Sequence, residues 1–201
     1  MKKGLLIALG VVAVIVILII SVVGWGVGIY NKMVGLNEGV KQSWSQVENV
    51  YQRRADLVPN LVATVKGVAN FEKETYTAVT EARAKVGQVK LSADQLSDPQ
   101  AFQKFQQAQD GLSSALSRLL VVSENYPQLK ANENFLQLQA QLEGTENRIT
   151  VERQKFTQVV QEYNTAIKKF PAAIIANFGG FREKEYFKAA AGSDLAPKVQ
   201  F

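Results

Sequence analysis

The sequence of 201 residues contains no histidine and no cysteine. Without histidine the commonest general base is missing, and without either residue the commonest ligands of zinc, copper and haem are missing too. Thiol nucleophiles, disulfides and Ser-His-Asp triads are excluded on the same ground. Carboxylate-only chemistry would require acidic residues that converge in a cleft, and the sequence has neither an acidic cluster nor a phosphate-binding loop. We therefore predict that the protein is not an enzyme and has no metal site and no cofactor.

Long blocks of like charge are also missing. The chain has 23 basic and 18 acidic residues, and its formal net charge is +5. Two of the basic residues, Lys2 and Lys3, precede a long uncharged run, so the remainder of the chain is close to neutral. Nothing resembles the basic stripe of a nucleic-acid-binding protein. We predict no nucleic-acid partner.

One hydrophobic run dominates the N-terminus. The segment 4–30, "GLLIALGVVAVIVILIISVVGWGVGIY", carries no charge. As a helix its roughly 27 residues reach about 40 Å, which exceeds a hydrocarbon core of about 30 Å. Trp25 and Tyr30 lie at its C-terminal end, where aromatic rings favour the membrane interface. The run is too long for a signal-peptide core, so residues 1–30 are predicted to be an uncleaved single-pass anchor.

The flanking charges give a preference for orientation. Lys2 and Lys3 flank the anchor more closely and densely than Lys32 and Lys41 do on the other side. The positive-inside rule then places the N-terminus in the cytoplasm. The expected location is the inner (cytoplasmic) membrane, with most of the chain on the non-cytoplasmic side.

A heptad-like apolar stripe follows the anchor and predicts a long helix. It keeps one phase across Pro59 and continues to about Lys85, so a kink at Pro59 is favoured over a break. Arg54 and Glu72 fall on this inward stripe, and each is expected either to find a partner on another helix or to extend to solvent. The apolar positions of the stripe are Val40, Trp44, Val47, Tyr51, Val58, Leu61, Val65, Val68, Val79, Ala82 and Val86.

Two further helices follow. The polar stretch 87–100 is predicted to be a connection, and Asp98 before Pro99 is a good helix start. The segment 124–135, "ENYPQLKANENF", resembles a binding loop because it is rich in amides and acids. We interpret it instead as a helix end near Asn125, a short connector and a helix start capped by Asn132. So short a connector makes the second and third helices antiparallel neighbours.

Three long motifs resemble those of the LemA family. They are "SWSQVENVYQRRADLVPNLVATVKGVANFEKETYTAVTEARA", "VVSENYPQLKANENFLQLQAQLEGTENRI" and "YNTAIKKFPAAIIANFGGF". The resemblance implies a single-pass bacterial membrane protein with an elongated helical bundle. It implies no established activity and no catalytic residues. It also implies two themes, membrane organisation and proximity to membrane proteases and other envelope proteins. The signature maps onto Arg53, Pro59, Asn60, Glu124, Asn125, Tyr126, Pro127, Asn132 and Phe135.

The segment 170–187, "FPAAIIANFGGFREKEYF", is rich in phenylalanine. Pro171 can open a short helix, and Gly179 and Gly180 can end it. This helix either folds back onto the bundle or lies at an interface with the membrane or a partner. Residues 189–201 are predicted to be a flexible tail.

The predicted fold is therefore all-α. The anchor continues into a long kinked helix within an elongated antiparallel bundle, residues 31–188, of three long helices and a short C-terminal one. A rod from Asn31 to Lys85 would rise about 80 Å, well beyond the reach of the second helix. Residues 31–57 would then be a stalk without intrachain neighbours. Its apolar stripe is predicted to be a homo-oligomer interface, formed by Val40, Trp44, Val47 and Tyr51.

These features lead to two functional hypotheses. The first is a membrane-anchored, self-associating scaffold that organises or remodels the bacterial envelope. The second is an adaptor or regulator of a membrane protease or another envelope protein. A large homo-oligomer would favour the scaffold, and a monomer that co-purifies with a protease would favour the adaptor.

Overall fold

A computed structural model describes residues 2–68 and 71–188 of the chain, and all the regular structure in these ranges is helical. The prediction of an all-α fold is confirmed. The predicted tail, residues 189–201, lies outside the described residues.

The first helix, α1, runs from Lys2 to Lys66 and joins the anchor to the bundle without a loop. It continues through Pro59, which lies on an exposed face. A proline in a helix leaves the carbonyl four residues earlier without its usual donor. Here that carbonyl belongs to Ala55, and it accepts a hydrogen bond of 2.9 Å from Arg83 Nε on the next helix. This bond compensates for the missing amide of Pro59.

The predicted rod to Lys85 is wrong. The helix ends at Lys66, and a second helix, α2, starts at Lys73 and ends at Gln88. The hydrogen bond from Arg83 to Ala55 shows that α2 runs back along α1. Gly67, a poor helix former, follows the last residue of α1. The apolar stripe kept its phase because both helices face the same core, so the phase did not reveal the turn.

The remaining elements begin largely where local sequence predicts. After a short 3-10 helix at Ala93–Ser97, α3 spans Pro99–Ser123, and the Asp98 side chain accepts from the amides of Gln100 and Ala101. A one-turn helix, α4 (Pro127–Lys130), occupies the connector. Helix α5 (Glu133–Lys168) is capped by Asn132, whose side chain accepts from the Phe135 amide. The short helix α6 spans Ala172–Phe178.

The long helices alternate in direction, up from the anchor and down towards it. Residues 31–66 of α1 rise about 54 Å above the anchor. Helix α5 has 36 residues and therefore the same length, so it returns to the level of the anchor. Helices α2 and α3 fill the space beside this pair. The bundle therefore has four long helices rather than three, together with α4 and α6.

The bundle core has two apolar clusters. The membrane-proximal core surrounds Trp44 and includes Met33, Val40, Val47, Tyr51, Leu91, Leu96, Phe102, Phe105, Ile149, Phe156, Val160, Tyr163, Ile167 and Ala176. The distal core includes Val58, Leu61, Val62, Val65, Phe71, Val79, Leu112, Leu116, Leu119, Leu129, Phe135 and Leu142.

The expectation of a bare stalk is also wrong. Val40, Trp44 and Val47 are 0% exposed and Tyr51 is 4% exposed within the single chain. The stripe is covered because α5 is long enough to return to the anchor and because Leu91 and Leu96, which follow α2, pack against it. No free surface remains at these four residues for another copy of the chain.

Candidate functional site

The most distinctive packing lies around Trp44. Its ring centroid is 5.3 Å from those of Phe105 and Phe156 and 6.2 Å from that of Phe187. The indole Nε1 donates to the Leu91 carbonyl at 3.0 Å, so the buried polar atom is satisfied. The contacts of Trp44 join α1, α3, α5 and the C-terminal segment in one packed cluster. Trp44 is 0% exposed, so this site is part of the core.

The C-terminal segment 181–188 has no regular secondary structure and completes the packing around Trp44. Asn164 exchanges two hydrogen bonds of 2.9 Å with the backbone of Lys184, and the Glu185 amide donates to the Leu96 carbonyl at 2.8 Å. Phe187 enters between the bundle helices, with the Arg153 guanidinium 4.4 Å from its ring centroid. Sequence reasoning missed this role, although the density of phenylalanine in 170–187 gave a hint of buried aromatics.

A buried polar layer separates the two cores. Arg54 is 1% exposed, and its guanidinium donates to Gln109 Oε1 at 2.6 Å and to Ser113 Oγ at 2.5 Å on α3. It also pairs with Glu146 of α5 at 2.7 Å. Its Nε is the one buried side-chain nitrogen or oxygen among the described residues that lacks a partner. The prediction that Arg54 finds partners on another helix is confirmed. The hydrogen bonds of the guanidinium are made to protein groups on α3 and α5, so the layer holds these helices to α1.

Glu72 behaves differently. It is exposed and occupies the N-cap position of α2, where Thr75 Oγ1 donates to its carboxylate at 3.1 Å. Its assignment to the inward stripe is wrong because the helix breaks between Lys66 and Lys73, so that Glu72 precedes the helix it was expected to lie within.

The family-signature residues fall into two groups. Arg53, Pro59 and Asn60 are exposed on α1. The others lie at the distal end, where Phe135 is 1% exposed, the Tyr126 ring centroid is 4.8 Å from that of Phe71, and Glu124 pairs with Lys130. Asn125 and Pro127 are exposed in the same turn. The segment 124–135 therefore ends one helix and begins another, as interpreted from the sequence.

Open grooves lie between the helices. One, of about 520 Å³, runs beside α2 and is lined by Glu48, Tyr51, Gln52, Arg83, Lys90 and Gln109. Burial raises the pKa of Glu48 and of Tyr51. No group of three or more acidic residues that could hold a metal ion occurs in residues 2–68 and 71–188. The lining of this groove mixes charged, amide and aromatic side chains.

The membrane end has the most exposed apolar surface. In α1 the span that begins at Leu6 is long and apolar enough to cross a membrane and is not buried against the rest of the chain. Helix α6 lies against the last turns of this anchor, since Ile175 Cδ1 is 3.8 Å from where a Cβ on Gly26 would stand. Tyr30 and Phe181 pack edge to face at 5.4 Å. The anchor and the bundle meet at this contact.

Residues 43–201 match the profile of the LemA family. The chain belongs to the LemA family. The resemblance found in the three sequence motifs is therefore confirmed. The match begins beyond the anchor and covers the bundle from residue 43 onwards, including the layer at Arg54.

Individual relatives of this LemA-family chain are named for the magnetosome. It is 27% identical to Magnetosome protein MamQ of Magnetospirillum gryphiswaldense, over 85% of this chain and 70% of the relative. It is also 27% identical to Magnetosome protein MamQ 2 of Paramagnetospirillum magneticum, over 90% of this chain and 74% of the relative. Protein LemA of Metamycoplasma hominis is 22% identical, over 72% of this chain and 62% of the relative. None of these names is that of an enzyme. The apolar helix and these relatives support association with a membrane.

Proposed function

We propose that this LemA-family protein is a membrane-anchored scaffold whose copies associate with one another and organise the bacterial envelope. The observation that carries the proposal is the continuity of α1 from the anchor into the bundle. No loop separates the anchor from the bundle, so the bundle is joined directly to the membrane helix and extends about 54 Å beyond it. When anchors associate in the membrane, the bundles joined directly to them are therefore brought together as well.

Association is assigned to the anchor, because the stripe at Val40–Tyr51 is buried. Gly24 and Gly28 are one helical turn apart, and a Cβ on either would meet nothing within 4 Å in the chain. Gly10, Ser21 and Gly35 share this face at helical periodicity. Small residues spaced by four allow two membrane helices to approach closely. Gly26, which faces α6, lies on the opposite side of the helix.

The mass of the protein extracted in mild detergent tests this proposal. We expect a complex several times heavier than the 22.1 kDa chain. Replacing Gly24 and Gly28 with leucine is expected to reduce it to the monomer, and the matched pair Val22→Leu and Val27→Leu is expected to leave it intact. A wild-type protein that is strictly monomeric in detergent and in membranes would refute the scaffold.

The adaptor is the second candidate, and the groove beside α2 favours it. That groove is open and lined by both charged and aromatic side chains, which suits an extended peptide of a partner. Co-purification of a monomer with a membrane protease or another envelope protein would favour this function. If Lys90→Glu together with Gln52→Ala abolishes co-purification, the partner binds in this groove.

We place the bundle on the non-cytoplasmic side of the inner membrane, because Lys2 and Lys3 flank the anchor more densely than Lys32 and Lys41 do. A reporter fused to the C-terminus and active only in the cytoplasm is expected to be silent. Activity of that reporter would reverse the orientation without affecting the scaffold.

A further inference from the structure

The segment 170–181, "FPAAIIANFGGF", presents exposed aromatic side chains beside the anchor. Phe178 is 91% exposed and Phe170 is 83% exposed, and Ile174 between them is 50% exposed. Ile174 and Phe178 are spaced by four and therefore share one face of α6, and Phe170 lies in the turn just before this helix. The opposite face contacts the bundle through Ala176, which is 2% exposed. The helix is thus attached by one side, and Ile174 and Phe178, like Phe170 before it, remain largely uncovered by the rest of residues 2–68 and 71–188.

The composition of the segment is that of a membrane-interface element. Its twelve residues carry no charge, whereas Lys168 and Lys169 precede it and Arg182 follows it. Apolar segments of about this length are too short to span a bilayer. Basic residues at the ends of an apolar segment suit the layer of lipid headgroups.

The position of α6 beside the anchor indicates that lipid covers its exposed face. Ile175 lies 3.8 Å from the Cβ position of Gly26, and Gly26 belongs to the uncharged run that ends at Tyr30. That run exceeds a hydrocarbon core by about 10 Å, so its last turns lie at the level of the headgroups. Trp25, which is 51% exposed, and Tyr30, which is 43% exposed, mark the same level on α1. The exposed face of α6 therefore continues the lipid-facing surface of the anchor.

We infer that Phe170, Ile174 and Phe178 insert into the membrane interface and form a second lipid contact beside the transmembrane helix. A single transmembrane helix can tilt in the membrane, and the bundle tilts with it. A second contact beside that helix limits the tilt and fixes which face of the bundle is turned towards the membrane. It also adds volume to one leaflet only. The inference does not depend on association between copies.

The absence of cysteine makes the test direct, because a single introduced cysteine is the only labelling site. The full chain carrying Asn177→Cys is labelled with a polarity-sensitive fluorophore and reconstituted in vesicles of phosphatidylethanolamine and phosphatidylglycerol. Asn177 is exposed on α6 and lies next to Phe178. Lipids that carry a nitroxide near the headgroup are expected to quench this probe. A probe at Val121→Cys, which is 70% exposed at the distal end of α3, is expected to remain unquenched.

The aromatic side chains are then removed. Phe170→Ser with Phe178→Ser is expected to reduce quenching at Asn177 roughly fivefold. The matched pair Val121→Ser and Leu136→Ser, at exposed apolar residues far from the anchor, is expected to leave quenching unchanged. Because Phe170 and Phe178 contribute little to the core, the melting temperature is expected to stay constant, which separates loss of insertion from loss of fold.

Three results would overturn the inference. The first is a probe at Asn177 that is no more quenched than the probe at Val121. The second is the absence of quenching together with efficient disulfide crosslinking between chains at Asn177→Cys, which would mean that another copy covers the face. The third is quenching that vanishes in vesicles of phosphatidylcholine alone, because insertion of apolar side chains does not require acidic lipid. That result would assign the contact to Lys168 and Lys169 instead.

Discussion

The membrane-proximal core of the bundle is built around aromatic rings, whereas the distal core is built mainly from leucine and valine. In the proximal core the rings of Phe102, Phe105, Phe156 and Phe187 surround Trp44. In the distal core Leu112, Leu116 and Leu119 of α3 belong to one cluster with Val58, Leu61 and Val65 of α1. The buried polar residues Arg54 and Gln109 lie between the two.

The two cores also differ in the parts of the chain they combine. The distal core is closed by short turns, with Phe71 just after α1 and Leu129 in the connector between α3 and α5. The proximal core requires the C-terminal segment, because Phe187 packs against Trp44 across most of the sequence. We infer that the distal core forms from the chain between Val58 and Leu142, whereas the proximal core requires the longer stretch from Met33 to Phe187.

The largest effect is expected for Trp44→Ala. The substitution removes the ring that the other aromatics surround and leaves the cavity of a fully buried side chain, which costs about 3–5 kcal/mol in the free energy of unfolding. Leu119→Ala is the control in the distal core, where Leu119 is also 0% exposed, and about 3 kcal/mol is expected there. Urea unfolding of detergent-solubilised protein, followed by far-ultraviolet circular dichroism, measures both. A smaller loss for Trp44→Ala than for Leu119→Ala would reverse the ranking of the two cores.

Local chemistry predicted the boundaries of α3 and α5, while tertiary packing determined the rest. Asp98 and Asn132 cap their helices as expected, since a cap depends on residues within one turn. The end of α1 was missed because the apolar stripe has the same phase on both sides of the turn. Periodicity reports which side of a helix is buried, and not whether two helices share an axis.

The error at α1 propagated to the predicted site. If one helix ran unbroken from Asn31 to Lys85, the following helix would be too short to cover the residues near the anchor, which are Val40, Trp44, Val47 and Tyr51. Once α2 folds back and α5 descends to the anchor, these residues become the centre of the proximal core. The part played by Phe187 could not be predicted, because the segment 181–188 has no periodic pattern and its partners are remote in sequence.

The second largest effect is expected at the polar layer. Arg54→Ala leaves a cavity and removes the donors to Gln109 and Ser113, and we expect a loss of about 3 kcal/mol. Arg54→Met fills the space without a charge and is expected to cost much less, because apolar replacements of buried ion pairs are often tolerated. Chemical denaturation measures both variants. Arg53→Ala, at the exposed neighbouring position, is the control and is expected to have almost no effect. Equal losses for the alanine and methionine variants of Arg54 would assign the effect to the hydrogen bonds and the charge.

A third substitution tests whether the C-terminal segment closes the proximal core. Phe187 is half-buried and lies under the Arg153 guanidinium, so Phe187→Ala is expected to cost about 2 kcal/mol. Hydrogen exchange should accelerate near Trp44 and Phe156 and remain unchanged around Leu116. Tyr186→Ala, at the more exposed adjacent residue, serves as the control. Uniform acceleration across both cores would contradict the separation between them.

The smallest effect is expected at the point where α1 passes Pro59, and it is best measured as a coupling. Arg83 Nε donates to the Ala55 carbonyl, which lacks its usual donor because Pro59 has no amide hydrogen. Arg83→Met leaves that carbonyl unpaired and is expected to cost about 1 kcal/mol. Pro59→Ala supplies the missing amide, so in its presence Arg83→Met should cost almost nothing. The double-mutant cycle is therefore expected to give a coupling of about 1 kcal/mol, and Lys85→Met, at an exposed residue one half-turn further along α2, should show none. If the effects of Pro59→Ala and Arg83→Met are simply additive, the bond does not compensate for the proline, and α1 must tolerate Pro59 through contact with solvent on its exposed side.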